Sequence, residues 1–290
     1  MTKILNLSKG GRAILLAAVA VWCAGHAPSA EGIPPAPYHL IYGLAKDSYG
    51  TPLSSANCFV ILQSQSGVQL TGQVIPGLGA GVNYQIKVPM DAGQTSQLYR
   101  PDALTVSAPF TMLVVISTVT NVPIEMTGAG LLLGQSGGAT KINLTLGKDS
   151  NGDGIPDAWE YAYLSTLGLN VPLSSINANS MLAGNGQTVL QAYLLGLPVF
   201  DPGSPFQVTM VGFVGTSPVL QFPGMTGRSY TVLGSPDLNT WTPLTFNLPT
   251  EALGALAHSF FYSSTIQNVQ LQVNLPAPAA AGMYLKVLLQ

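Results

Sequence analysis

Apolar and polar positions alternate in short runs along residues 36–147. Tyr38–Ala45, Asn57–Leu62, Val68–Ile75, Asn83–Val88, Thr111–Ser117 and Lys141–Leu146 each read as a strand with one buried face. Turn signals separate them: KDSYGTP, QSQSG and PGLGAG, the last expected to close a hairpin. Across residues 148–202 the period lengthens. DAWEYAYLSTLG and QTVLQAYLLG place apolar residues at helical spacing, with Gly168 and Gly196 as stops. From Gly203 onward alternation resumes in FQVTMVGFV, PVLQF, SYTVLG, WTPLTF, HSFFYS, VQLQV and MYLKVLL. The pattern predicts a mainly β protein. One β-sandwich covers residues 31–147, a short helical segment covers 148–202, and a second β-sandwich module covers 203–290.

The first 30 residues follow a different pattern. Lys3, Lys9 and Arg12 precede the apolar run Ala13–Ala24, and small residues follow, ending in HAPSA. That order is expected of a secretory signal peptide cleaved after Ala30. The run is shorter than the ~20 residues a membrane-spanning helix needs, and no later run is long enough. The expectation is an exported protein, secreted or held at the cell surface, with no transmembrane segment once the signal is removed.

Composition narrows the function classes. Charged residues are 8% of the chain, against about 25% in an ordinary soluble domain. The 32 Gly and 22 Pro exclude a helix bundle, and 47% hydrophobic residues exclude a solvated, unfolded chain. Cleavage leaves seven basic against twelve acidic residues, a net charge of −5, with no basic cluster. A nucleic-acid partner therefore has no electrostatic footing. Cys58 is the single cysteine after cleavage, so no internal disulfide forms. The fold must be held by its core, by a metal, or by both.

One segment carries candidate chemistry. Residues 149–160 read DSNGDGIPDAWE. Asp149, Asn151, Asp153, Asp157 and Glu160 fall at positions one, three, five, nine and twelve of an EF-hand-type calcium loop, with Gly154 at six. Short oxygen side chains at alternate positions turn inward as the loop wraps a hard cation. Gly154 permits the sharp turn, Ile155 offers its carbonyl, and Glu160 reaches back with two oxygens. The bland alternative is a solvated turn followed by a capping box at Asp157 and Glu160. Density argues for the ion: four of the twelve acidic residues lie in this one window, and unpaired they would repel. KINLTLG before the loop reads as a strand rather than an entering helix, and Pro156 at position eight has no N–H for a paired loop. An unpaired loop with an exiting helix is expected. A second loop over Met181–Ala192 aligns Gly186 with position six, but Met181, Ala183, Asn185, Val189 and Ala192 stand at the ligand positions. No carboxylate is left, so this second site should be empty.

Other motifs are weaker. Gly134–Gly138 satisfies G-x-S-x-G, yet its surroundings read as strand–turn–strand rather than the strand–turn–helix of a nucleophile elbow. His39 and His258, the candidate bases, sit in alternating β patterns. No catalytic residue is assigned and an enzyme is not expected. Trp159 should dock the first helix on a neighbouring sheet. Trp241 is either a strand-start core residue or a surface for stacking a sugar ring.

Residues 41–62, IYGLAKDSYGTPLSSANCFVIL, are similar to the opening of prealbumin-like and carboxypeptidase-regulatory-like domains. The calcium loop resembles thrombospondin type 3 and dockerin-like repeats more than sensor EF-hands. The D-x-N-G-D-G-x-P-D-x-W-E loop after a β-domain, together with GRSYTVLGSPDLNTW at 227–241 and the closing MYLKVLL, resembles a layout of secreted modular proteins of environmental bacteria. That resemblance implies architecture, export and calcium. The function expected is an exported, non-enzymatic calcium-binding structural or adhesion protein, Ca2+ rigidifying the joint between two β-modules. The alternative is a carbohydrate-binding or surface-attachment module associated with secreted hydrolases, its partner an extracellular glycan or cell-surface protein.

Overall fold

The computed structural model describes residues 36–290 apart from 95–96, 129–130, 196–205, 253 and 277–281. The expected signal peptide, its cleavage site and the Gly196 stop lie outside the described residues. The chain is mainly β.

Strict alternation builds the first sandwich. In β3 (Cys58–Ser64), Cys58, Val60, Leu62 and Ser64 point inward while the residues between them are half-exposed. β5 (Tyr84–Met90) buries Tyr84, Ile86 and Val88 in the same way. One sheet runs β2 (Ala45–Lys46), β9 (Ala139–Thr145), β1 (Ala36–Gly43), β5, with β8 (Glu125–Gly128) also pairing β9. The other runs β4 (Gln69–Gln73), β3, β6 (Phe110–Ile116), β7 (Val119–Asn121). β1 and β2 both lie parallel to β9. They are one strand interrupted at Leu44, whose N–H is taken by the Asn143 side chain at 3.0 Å. Ile41, Val60, Leu62, Tyr84, Met112, Val114, Ile142 and Leu144 fill the space between the sheets.

PGLGAG does not close a hairpin, because β4 and β5 belong to different sheets. The glycines carry the chain across the sandwich edge, with a tight bridge between Gly79 and Val82.

The second sandwich pairs β10 (Thr209–Val214), β11 (Ser217–Gly224), β16 (Gln267–Val273) and β14 (Phe246–Asn247) in one sheet. The other holds β13 (Thr242–Leu244), β12 (Ser229–Ser235) and β15 (Phe261–Tyr262), with β17 (Tyr284–Leu289) on the opposite edge of β12. Phe222, Tyr230, Val232, Phe246, Val269, Leu271 and Val273 form its core, and the Phe222 and Tyr230 rings meet at 4.9 Å.

Between the two lies the helical segment. α1 (Asp157–Thr166) starts after Pro156, whose fixed φ of −64° suits the residue before a first turn. It ends at Gly168, φ 69°. Gly168 N–H bonds the Ser165 carbonyl and Leu169 N–H the Leu164 carbonyl, the pair of bonds that closes a left-handed C-terminal cap. α2 (Val189–Leu195) follows a single 3-10 turn at Leu173–Ser175. Ile155, Trp159, Tyr163, Val189, Ala192 and Tyr193 form a third small core, which Met225 of the second sandwich joins. Trp159 therefore packs mainly on the helical segment itself, stacked on Tyr163 at 4.9 Å and edge-on to Tyr193 at 5.4 Å. All three cores belong to one compact unit, Ala36–Gln290. Among the described residues no helix is long and apolar enough to cross a membrane.

Candidate functional site

β9 delivers the chain to the loop, and the loop delivers it to α1. Gly152 and Gly154 hold φ of 73° and 88°, values that L-residues with a Cβ adopt only with strain. These two reversals wrap residues 149–155 around the Asp149 carboxylate. Its Oδ1 accepts from Gly152 N–H at 2.7 Å and Asp153 N–H at 3.2 Å, and its Oδ2 accepts from Gly154 N–H at 2.7 Å. Asp153 Oδ1 accepts from Ile155 N–H at 3.1 Å. The Ile155 side chain is fully buried in the helical core and anchors the loop's far end.

Asp157 does not cap its helix. Its Oδ1 instead accepts from the Ser150 N–H at 2.7 Å and the Ser150 hydroxyl at 3.0 Å, tying the start of the loop to the first turn of α1. The residue in the cap position, Pro156, makes no side-chain cap bond. The capping-box alternative thus fails at its first residue.

Glu160 is the unusual member. It is 0% exposed, one turn into α1. Asn151 Nδ2 donates to its Oε1 at 3.3 Å, and to the Leu173 carbonyl at 3.3 Å. Its Oε2 has no hydrogen-bond partner, and neither do Asn151 Oδ1 or Asp153 Oδ2, all three buried. Burial first, and the nearby Asp153 carboxylate second, push the Glu160 carboxyl up to about 7. Asp153 is raised as well, again mostly by burial. Leaving buried oxygens unpaired costs roughly 1–3 kcal/mol each, so three in one loop are a sizeable local debt.

Loop positions three, five and twelve therefore each carry an orphaned oxygen, while positions one and nine are engaged by loop N–H groups. Among the described residues no three carboxylate, imidazole or thiol side chains are grouped so as to hold a metal. The three orphans fit a hard cation because two are carboxylate oxygens and one an amide oxygen, the donors such ions take. Charge supplied there would remove both the unpaired oxygens and the Asp153–Glu160 repulsion.

One neighbour carries no sequence signal. Glu125, at the start of β8, pairs in register with Thr145, the last residue of β9 before the loop. Its carboxyl is raised by burial and then by Asp149, while the Asp149 backbone N–H and Lys46 act in the opposite sense. The strand pairing that brings it here spans twenty residues and leaves no local motif.

The second loop keeps the backbone of the first. Gly184 and Gly186 hold φ of 70° and 77° at the positions of Gly152 and Gly154, and α2 starts at Val189 as α1 starts at Asp157.

The weaker motifs have structural explanations. Gly134–Gly138 wraps His39, which is buried between the Gln135 carbonyl, 2.7 Å from Nδ1, and the Thr140 hydroxyl, 2.8 Å from Nε2. Ser136 donates to the Pro37 carbonyl at 2.8 Å. His258 bonds Glu251 at 2.7 Å. Trp241 is half-buried, and the Lys286 ammonium lies over its ring, 3.9 Å from the ring centre.

No protein-family model, curated protein or solved structure matches the chain.

Proposed function

We propose that this chain is an exported, non-enzymatic structural protein whose 149–160 loop binds Ca2+ and thereby stiffens the joint between two β-modules. Asp149, Asn151, Asp153, the Ile155 carbonyl, Asp157 and Glu160 are the residues that would hold the ion, Asp157 through a water. The observation that carries the reading is Glu160: a fully buried carboxylate with a free oxygen beside two further orphaned oxygens, Asn151 Oδ1 and Asp153 Oδ2.

The surroundings of the helical segment support a joint. Tyr193 of α2 touches both sandwiches. Lys46 of β2 donates to its hydroxyl at 3.2 Å, and Arg228, just before β12, donates to its carbonyl at 3.1 Å. The loop is pinned nearby: a Cβ on Gly147 would lie 2.5 Å from the Ser48 carbonyl and 2.7 Å from Pro156 Cβ. Neutralising the loop would order a segment to which both modules are attached. Affinity should fall near the ~10⁻⁴–10⁻³ M of extracellular modules, where a structural ion needs no switch.

A Ca2+ titration of residues 31–290, read by melting temperature, tests the proposal alongside Asp153→Ala. Binding to the folded state alone raises melting temperature by mass action. A rise in the parent chain, lost in Asp153→Ala, is the expected outcome. An unchanged melting temperature in the parent chain overturns it.

A further inference from the structure

Among the described residues β10 is an edge strand, first in the order β10–β11–β16–β14. A bulge at Val211 resets its register: Met210 opposes Leu220, but Gly212 opposes Val219 and Phe213 opposes Pro218. Met210 and Phe213 consequently lie on the same side as Leu220, which is buried in the core of the second sandwich. They are nevertheless 59% and 61% exposed, and Val211 and Val214 are 50% and 53% exposed. The core-facing side of β10 thus extends beyond the sheet that should cover it. An open strand edge presents unpaired backbone N–H and C=O groups, and proteins ordinarily guard it with Lys, Pro or charge. Among the described residues the bulge is the guard, since β10 has no Pro and residues 206–227 contain no charged side chain.

We propose that β10 pairs edge to edge, antiparallel, with β10 of a second copy of this chain. Two features select the occupant. In a two-fold antiparallel pair each strand meets its own sequence, so any charge near the axis would face itself; this strand has none. The exposed apolar groups also lie on both faces of the strand, as a pair continuing the sheet requires. Covering Met210, Val211, Phe213 and Val214 in both copies removes several hundred Å2 from each, on the order of the ~1,000 Å2 total that a weak specific interface needs. The bulge keeps the regular pairing short, which sets a reversible, concentration-dependent dimer rather than a permanent one.

Sedimentation equilibrium on residues 31–290, across a concentration series and in both Ca2+ and EDTA, tests this. The expected result is a mean mass that doubles as concentration rises, in both ion conditions, because the interface is built from apolar side chains and backbone. Phe213→Lys should keep the melting temperature and stay monomeric throughout. Thr209→Lys, also at an exposed β10 position, serves where Phe213→Lys does not fold. Monomer at every concentration overturns the proposal, whether the edge is free or covered by the chain's own 196–205 segment. Equal dimerisation of the lysine variants overturns it too. Since the readout is mass in EDTA as well as Ca2+, its failure is separate from failure of the calcium reading.

Discussion

Arg228 donates from Nη2 to the backbone carbonyl of Tyr193 at 3.1 Å, and its guanidinium carbon lies 5.8 Å from the centre of the Tyr193 ring. Among the described residues the ion pairs are Arg100–Asp102 and His258–Glu251, so this buried arginine is held by a carbonyl and an aromatic face, with the Asp47 carboxylate acting on it only from beyond ion-pair distance. Lys46 approaches the same ring at 5.7 Å, and burial lowers the pKa of both cations. One tyrosine thus ties the helical segment to both sandwiches. Tyr193→Ala should cost about 3–5 kcal/mol, the range for deleting a buried aromatic. Tyr193→Phe, which removes the Lys46 acceptor and the hydroxyl's own bond to the Gly50 carbonyl at 3.5 Å, should cost about 1–3 kcal/mol. Urea denaturation of both variants checks the order; Tyr193→Ala at parent stability would show that the joint is not keyed through this ring.

Metal-free stability should fall as pH rises. Glu160 is raised from 4.5 to about 7, so between those values the unfolded chain has lost a proton that the folded chain keeps. The folded state binds more protons, and linkage then requires stability to drop with rising pH across that window and to level off above it. Asp153, raised by the same cause, adds in the same sense. Asp237 and Glu251 are lowered by hydrogen bonds and act below the ordinary carboxylate range, outside the window. Urea midpoints in EDTA from pH 5 to 8 read this directly. Glu160→Gln should flatten the profile; a parent profile already flat would contradict the burial argument.

Calcium stoichiometry should be one per chain. The two loops share their glycine geometry, but the second presents Met181, Ala183, Val189 and Ala192 where the first presents acids and an amide. Equilibrium dialysis giving two ions would mean that the second loop binds without any carboxylate.

Gly154→Ala and Gly186→Ala separate backbone from ion. A Cβ at either position meets no atom within 4 Å, so the cost is conformational, about 1–2 kcal/mol for an L-residue forced into left-handed space. Both should lower the melting temperature in EDTA. Gly154→Ala alone should also weaken the response to Ca2+.

The G-x-S-x-G segment should behave as packing. A Cβ on Gly134 would lie 2.5 Å from His39 Cε1, so Gly134→Ala should cost about 1–3 kcal/mol through overpacking. Ser136→Ala loses one exposed hydrogen bond to Pro37 and should cost about 1 kcal/mol or less. Thermal melts decide it: a larger effect at Ser136 would reverse the assignment.

Legibility followed the range of the interaction. Alternation marked strands at Asn57–Leu62, Asn83–Val88 and VQLQV, where the structure has Cys58–Ser64, Tyr84–Met90 and Gln267–Val273, because a strand's inward face repeats every second residue. β7 and β8 went unmarked, and β2 was read only as the end of Tyr38–Ala45, all three being two to four residues long and defined by their partners rather than their own pattern. Helix spacing and Gly168 located α1 nearly to the residue.

The sequence by itself determined the mainly β class, the helical interruption, and a loop whose oxygen donors recur at calcium spacing. Each is a local regularity, set by the side-chain period or by turns that glycine alone makes cheaply. Tertiary structure decided the rest. It turned Asp149 and Asp157 onto loop N–H groups and left Asn151, Asp153 and Glu160 with the free oxygens. It brought Glu125 beside the loop, seated Tyr193 between Lys46 and Arg228, set the Lys286 ammonium over the Trp241 ring and, among the described residues, left β10 at a sheet edge. Those outcomes depend on which distant strands pair and what then fills the space between them. Burial and pairing are properties of the assembled fold, and no window of neighbouring residues encodes them.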